Sequence, residues 1–192
     1  LPVPQGFIVT TEACGKYYED GRKINDQIVK EINAGIEKLQ KIIDPTIGIL
    51  TNIGSAHDEG FADVGEKIKE KLKLFSTVKV LILNKNKTVQ AFVNSKIKQF
   101  TWSSDDKSAN VFVTKKKVDE ITELTITYQE ESFLVQIPFQ DQASVENAIH
   151  CMMVMLYFGY NPKVIQVRMT QLYPVEMRLK VKNGIYNCTI ID

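Results

Sequence analysis

Residues 49–61 read ILTNIGSAHDEGF, and they join an apolar run to a cluster of small polar groups. Residues 47–50 fit a short buried strand. The residues that follow include His57, one of only two histidines in the chain, and the carboxylates Asp58 and Glu59. Turn chemistry is one explanation, because strand ends favour Gly, Asn, Ser and Asp. The other is a metal and phosphate site at the carboxyl end of a parallel strand, where open α/β sheets bind ligands.

The apolar pattern on both sides of this stretch predicts an α/β fold. Helical spacing predicts a helix over 25–43, and Asp44-Pro45 ends it because proline disfavours α geometry in the preceding residue. Further helices are predicted over 62–75, 143–158 and 162–171. Strands are predicted at 78–83, 99–103 and 110–114, with antiparallel hairpins at 123–128/132–138 and 177–181/187–191. Buried strands that alternate with helices imply a mainly parallel sheet flanked by helices, with the hairpins late in the chain.

Composition and charge exclude several classes of protein. The 192 residues can form one domain, or one domain with an appendage, and the net charge of +1 gives no electrostatic reason to expect nucleic acid or an anionic membrane as a partner. No apolar stretch approaches the roughly 20 residues of a membrane-spanning helix. Three cysteines without CxxC spacing favour reduced thiols in a cytoplasmic protein. The start, LPVPQGF, is unlike a signal peptide and lacks Met, so the chain is expected to begin inside a longer sequence.

His57 is the first candidate for metal binding. A single histidine in a turn is more often hydrogen-bonded locally than bound to a metal. Here His57, Asp58 and Glu59 follow a buried strand and precede a helix. In that geometry a strand-end side chain and a helix N-terminus converge on one anion or metal.

Four lysines lie at every second position of the predicted helix over 62–75: Lys67, Lys69, Lys71 and Lys73. Because an α-helix has 3.6 residues per turn, side chains at every second position point in different directions, and the four lysines cannot all face one site. Most of them are expected at the surface. Lys71 flanks the apolar face and could point inward.

Two polar residues in the C-terminal half are further candidates. Asn147 lies inside an apolar helix pattern, so a buried amide is expected there, and it needs partners from the backbone or from a planar ligand such as a nucleobase. His150, one turn later, fits a satisfied core histidine. Arg178 is either a surface charge or a residue that binds a phosphate.

Four segments carry a family resemblance: PTIGILTNIGSAHDEGF at 45–61, EKIKEKLKLF at 66–75, FQDQASVENAIHCMMVML at 139–156 and PVEMRLKVKNGIYNCTIID at 174–192. Together they make the block over 37–192 resemble the central ATPase domain of the Mur ligases of peptidoglycan synthesis. It is most similar to the D-alanyl-D-alanine-adding type, including the form fused to an alanine racemase.

The resemblance implies roles for individual residues. Asn52 and His57 fall in the strand-end segment, where the histidine helps to bind a second Mg²⁺. Lys71 matches the lysine that carbon dioxide carbamylates, which turns an ammonium into an anion able to bind metal. Asn147 matches the asparagine that hydrogen-bonds adenine, and Arg178 the arginine that contacts ATP phosphates. The ribose-binding aspartate of the family falls at or just beyond Asp192 and is not assigned.

The resemblance also implies an activity with ATP and Mg²⁺. An acyl phosphate forms on UDP-N-acetylmuramoyl-tripeptide, and the amine of D-Ala-D-Ala then attacks it. However, the 192 residues contain no GxxxxGK[ST] pattern and no GTNGKT-like phosphate loop. The magnesium-binding glutamate that follows that loop and the C-terminal domain of the family are also not found. The polypeptide is therefore expected to have little or no ligase activity alone.

Residues 1–36 resemble a different family, pyruvate, phosphate dikinase, through LPVPQGFIVTTEACGKYYEDGRKI at 1–24. This N-terminal α/β appendage carries none of the dikinase's phosphohistidine or pyruvate-site residues. Residues 33–40 fit either parent, so a seam is predicted there and the chain is interpreted as a chimera. A dikinase-type phosphotransferase and a non-catalytic α/β module remain the alternatives to a ligase core.

Overall fold

A computed structural model of the chain describes residues 18–19, 21, 26–53, 63–173, 181–183 and 189–191. The helices are α1 Asp26–Ile43, α2 Val64–Lys73, α3 Lys87–Gln90, α4 Gln142–Tyr157 and α5 Pro162–Thr170. The strands are β1 Ile47–Leu50, β2 Val80–Asn84, β3 Lys98–Ser103, β4 Val111–Val118, β5 Ile121–Tyr128, β6 Glu131–Ile137, β7 Val181–Asn183 and β8 Thr189–Ile191. The sequence also predicts a short strand at 7–10 and a helix after it, but that strand, most of that helix and the strand-end segment over 54–62 lie outside the described residues.

The strands confirm the α/β class and form a mixed sheet. Six of them lie in the order β1-β2-β3-β4-β5-β6, and β7 pairs separately with β8 in an antiparallel ladder. β3 and β4 are parallel, with Trp102 opposite Val111, whereas β4, β5 and β6 are antiparallel neighbours. The predicted hairpin of β5 and β6 therefore extends the sheet at one edge, whereas the predicted C-terminal hairpin, β7 and β8, forms a separate ladder.

Local sequence explains where most elements begin. Three helices begin directly after a capping residue, whose side chain accepts a hydrogen bond from a backbone N–H of the first turn. The caps are Asp63 for α2, Asp141 for α4 and Asn161 for α5. Such caps satisfy N–H groups that have no partner inside the helix. The β5–β6 loop consists of Gln129 and Glu130, both with positive φ, as expected of a two-residue hairpin turn that matches strand twist. The sequence did not predict α3, because four residues are too few to show the helical spacing of apolar side chains.

β4 is longer than predicted and runs through Lys115, Lys116 and Lys117. Because acidic residues follow them, the sequence predicts that these lysines form a solvated face, and all three are exposed. In the sheet their backbones pair with β5, with Lys116 opposite Glu123. Strand pairing therefore overrides the low strand preference of lysine.

Packing divides the chain into two compact units. The first comprises residues 1–82 and 86–99, and the second comprises 83–85 and 100–192. The division does not test the predicted boundary between residues 36 and 37, which stays a prediction. The predicted seam at 33–40 falls within α1.

The core of the first unit lies between strands and amphipathic helices. Its buried side chains include Ile28 of α1, Leu50 of β1, Ile68 of α2 and Leu81 of β2. Gly48 of β1 is required by close packing, because a Cβ there would lie 2.4 Å from Cδ1 of Phe75. The absence of a side chain at this strand position allows the end of α2 to approach β1.

The second unit is built on the hairpins and on α4 and α5. Alternate residues of the three antiparallel strands are buried: Val111, Val113, Leu124, Ile126, Val135 and Ile137. α4 contributes Ile149, Met152 and Met153, and α5 contributes Ile165. The Gln166 side chain of α5 donates a 2.7 Å hydrogen bond to the Leu134 carbonyl of β6. α5 therefore satisfies part of the backbone of an edge strand.

Candidate functional site

The structure brings two of the predicted site residues together at the carboxyl end of β1. Asn52 follows that strand, and Lys71 lies in the last turn of α2. The Lys71 ammonium donates a 3.4 Å hydrogen bond to the Asn52 backbone carbonyl, and the Lys71 side chain is half-buried. The Lys71 side chain therefore extends from α2 towards the end of β1. Asn52 is exposed, and its contact with Lys71 uses its backbone carbonyl and not its side chain.

The sequence did not predict that Lys67 of α2 would be buried. Lys67 is only 3% exposed, although most lysines of this helix were expected at the surface. Lys67 and Lys71 are four residues apart, so they lie on the same face of α2. The i, i+4 spacing of these two lysines is the sequence signal for a shared face.

The other two lysines of α2 have different surroundings. The Lys69 ammonium lies 5.4 Å from the centre of the Phe92 ring, which is a cation–π contact. Lys73 forms an ion pair with Glu70. The prediction that the four lysines cannot all face one site is therefore confirmed, because Lys69 and Lys73 make contacts away from the face that Lys67 and Lys71 share.

Asn147 is exposed, so the prediction of a buried amide was wrong. The buried side of α4 comprises Val145, Ala148, Ile149, Met152, Met153 and Leu156. Asn147 falls outside that stripe, even though its sequence neighbours are apolar. Within the described residues its side chain makes no hydrogen bond, which leaves its donors and acceptor available to a ligand.

His150 is a core residue, as predicted. It is 2% exposed, and its Nε2 lies 3.3 Å from Nε1 of Trp102. An indole N–H can only donate, so Nε2 of the imidazole accepts and the ring proton lies on Nδ1. That Nδ1 donates to the Glu146 carbonyl at 2.8 Å. Both nitrogens of a neutral ring are therefore used by the fold.

A second polar cluster, at the end of β3, was not predicted. Ser103 Oγ accepts hydrogen bonds from the N–H groups of Asp105 and Asp106. The Asp106 carboxylate binds Ser108 through its N–H and hydroxyl and pairs with Lys85 at 3.0 Å. The Ser108 side-chain hydrogen bond and the Lys85 ammonium hold the pKa of Asp106 well below its usual range. These contacts close the β3–β4 loop, and the SSDD run at 103–106 was the available signal.

Two further predicted ligands fall in segments that the structure does not describe. His57 and Arg178 lie outside the described residues, so their roles stay predictions. In the described ranges, no three His, Cys, Asp or Glu side chains are grouped in a way that could hold a metal ion. No helix in the same part of the chain combines the length and apolarity needed to cross a bilayer.

Several solved structures share this fold, among them ligases. UDP-N-acetylmuramoyl-L-alanyl-D-glutamate–2,6-diaminopimelate ligase matches with a TM-score of 0.64 and 18% identity over 79% of this chain and 33% of that chain. MurF from Acinetobacter baumannii gives 0.63 and 18% over 79% and 34%. MurF ligase from Thermotoga maritima, in complex with ADP, gives 0.62 and 18% over 77% and 35%. At these identities the likeness shows the fold, and this chain spans about a third of each ligase.

The sequence itself gives the family. The Mur ligase middle domain family matches residues 29–155, which is more than half of the chain. The chain belongs to this family, and the predicted resemblance is confirmed.

Short curated matches also support the second resemblance. The chain is 45% identical over 42 residues to pyruvate, phosphate dikinase of Clostridium symbiosum, which is 22% of this chain and 5% of that protein. It is 37% identical over 41 residues to the Entamoeba histolytica enzyme, or 21% and 5%. The chain therefore spans a very small part of these curated relatives.

Proposed function

We propose that this chain is part of an ATP-dependent ligase that forms an amide bond on a UDP-N-acetylmuramoyl peptide. Membership of the Mur ligase middle domain family over residues 29–155 carries the proposal. The finer assignment is the D-Ala-D-Ala-adding type, with UDP-N-acetylmuramoyl-tripeptide and D-Ala-D-Ala as partners, in the cytoplasm. The ADP complex of a MurF ligase with the same fold supports nucleotide as the cofactor.

The proposed nucleotide contacts lie in the second unit. Asn147 would hydrogen-bond the edge of adenine, since it is exposed on α4 and its amide has no partner among the described residues. A planar base needs one donor and one acceptor side by side, and an amide offers both. Arg178 would contact the phosphates of ATP.

The proposed metal and carbamate chemistry lies at the carboxyl end of β1. A protonated lysine cannot ligate a cation, so Lys71 fits a magnesium site only after carbon dioxide has converted its amine to a carbamate. His57 would be the other ligand from this chain. When bound, Mg²⁺ offsets negative charge on the transferring phosphoryl group.

Calorimetric titration with Mg²⁺–ADP and Mg²⁺–ATP tests the nucleotide site. We expect weak binding by the parent chain, because backbone amides and a lysine of a phosphate loop normally dominate triphosphate affinity and no GxxxxGK[ST] pattern is present. Asn147→Ala should abolish it. Gln142→Ala removes another exposed amide of α4, five residues away on a different face, and should leave binding unchanged.

The titration, together with an assay for phosphoenolpyruvate, also separates the alternative functions. Equal affinity in the parent and in Asn147→Ala would show that the adenine assignment is wrong. No binding at any nucleotide concentration would favour a non-catalytic α/β module. Formation of phosphoenolpyruvate from pyruvate and ATP would favour a dikinase-type phosphotransferase, the alternative that the 45% identity over 42 residues supports.

A further inference from the structure

The apolar face of α1 is only partly covered by the rest of its unit. Among the side chains of α1 that the structure describes, Ile28 is the one that is buried, whereas Ile42 and Ile43 are 53% and 61% exposed. Because the helix has 3.6 residues per turn, these residues share a face, here called the α1 stripe, with four residues between them: Val29, Ile32, Gly35 and Ile36. A contiguous apolar surface of this kind on a globular domain marks an interaction site.

The spacing of the α1 stripe is the same from either end of the helix. Ile28 and Ile43 lie at equal distances in sequence from the centre of the stripe, at residues 35–36. The same is true of Val29 and Ile42. If a second copy of α1 runs antiparallel across this centre, Val29 of each copy therefore meets Ile42 of the other. A twofold-symmetric interface requires a surface that is complementary to itself in this way.

One flank of the α1 stripe carries charges of opposite sign at matching positions. Glu31 and Lys38 are exposed and seven residues apart, which is about two helical turns, so they lie on the same side of α1. In the antiparallel pair, Glu31 of one copy and Lys38 of the other are separated by only about 3 Å along the helix axis, and symmetry repeats the contact. A parallel pair in register would separate them by about 10 Å along the axis. Gln27 donates a 3.1 Å hydrogen bond to Glu31, and this neutral amide leaves the carboxylate charge in place.

We propose that the α1 stripe is the interface of an antiparallel homodimer, in which a second copy of this chain covers it. The charges of α1 disfavour a membrane surface as the occupant, because the helix carries three acidic and three basic residues. Amphipathic helices that bind membranes are rich in lysine and arginine on their polar face. A single pair of helices buries less surface than a standard interface, so the dimer is expected to be weak and to depend on concentration.

Sedimentation equilibrium of the purified chain at micromolar to millimolar concentrations measures the dissociation constant of the dimer. Glu31→Lys replaces both ion pairs by repulsion and should raise that constant about tenfold, and Lys38→Glu should do the same. The double variant Glu31→Lys/Lys38→Glu restores two attractive pairs and should dimerise like the parent. Glu37→Lys makes the same change in net charge as Glu31→Lys, but at an exposed position on the polar side of α1, and should leave the constant unchanged.

A second pair of variants tests the apolar part of the interface. Ile42→Ser removes a contact that each copy makes with Val29 of the other, so it should also raise the dissociation constant about tenfold. Val167→Ser changes an equally exposed apolar residue of α5 and should have no effect on dimerisation. Far-UV circular dichroism verifies that each variant keeps its helices, and recovery in the double charge variant distinguishes lost pairing from lost helix.

Two results would overturn the proposal. A parent chain that stays monomeric at millimolar concentration would show that a second copy does not cover the α1 stripe. A dimer that Glu31→Lys and Lys38→Glu leave unchanged, or that the double variant fails to restore, would exclude the antiparallel arrangement. Neither result affects the proposed ligase function, whose residues lie outside α1.

Discussion

Asp106 shows how a single side chain can hold a loop closed. Its carboxylate accepts hydrogen bonds from Ser108 and pairs with Lys85, directly beyond β2 and β3. The Ser108 hydroxyl and the Lys85 ammonium favour the ionised form, which is why the pKa of Asp106 lies below its ordinary value. A carboxyl group with a depressed pKa stabilises the folded state wherever it is ionised.

We predict that Asp106→Asn lowers the melting temperature at neutral pH, and that the difference from the parent shrinks as the pH falls below about 4, the ordinary pKa of aspartate. The sign follows from the lower pKa in the folded state: the contribution is present above the unfolded pKa and is lost as the pH falls through the folded one. Thermal unfolding followed by the fluorescence of Trp102, the only tryptophan, measures it.

Asp105→Asn is the matched control, because Asp105 is an exposed neighbour in the same loop and its contact with Ser103 runs through its backbone N–H. It should unfold like the parent at every pH. The role of Asp106 would be contradicted if both variants lowered the melting temperature equally.

β1 and α2 depend on a strand position without a side chain. Gly48 is buried in β1, and a Cβ there would meet Phe75 at 2.4 Å and Leu81 at 3.1 Å. At 2.4 Å the half-buried Phe75 ring would have to move, whereas the Leu81 methyl group would have to give by only a few tenths of an ångström. The glycine lets α2 end against β1, and this places Lys71 near Asn52.

We predict that Gly48→Ala destabilises the chain by about 1–3 kcal/mol, the ordinary cost of overpacking. Urea unfolding followed by circular dichroism measures the free energy. The double variant Gly48→Ala/Phe75→Ala should lose less than the sum of the two single changes, because the clash disappears with the ring. Ile49→Ala, an exposed position of the same strand, should change stability by about 0.5 kcal/mol or less. Strict additivity would show that Phe75 does not cause the cost at Gly48.

At the level of the whole polypeptide, the family and the phosphate chemistry lead to different expectations. The family match spans residues 29–155, yet the 192 residues contain no GxxxxGK[ST] pattern. His57, Asn147 and Arg178 cannot replace a ring of backbone amides around a triphosphate.

We predict no ligase turnover when this polypeptide is given UDP-N-acetylmuramoyl-tripeptide, D-Ala-D-Ala, ATP and Mg²⁺. Release of inorganic phosphate and formation of the amide product are measured together. A complete ligase of this fold, assayed in parallel, is the positive control. Turnover within the ordinary enzyme range, about 1 per second or faster, would show that the missing loop is not required.

Much of the architecture can be predicted from the sequence. The sequence predicted α1, α2, α4 and α5 to within a few residues: α1 and α2 from the helical spacing of their apolar residues, and α4 from a long apolar run that ends at Gly159. The hairpin of β5 and β6 was also predicted, since alternation on both sides of Gln129 and Glu130 permits one register. α3 and the length of β4 were missed because neither has an apolar period.

The site was less predictable, and two residues of the helices show why. Asn147 was expected to be buried among apolar neighbours, but burial depends on angle around the helix axis and the core covers another side of α4. Lys67 was expected at the surface, yet the core covers its side of α2. Apolar spacing and family motifs are local properties of the chain, and they were sufficient for the class, the order of elements and the family. Which polar side chains are enclosed depends on what packs against each face, and that is settled only when the elements are assembled.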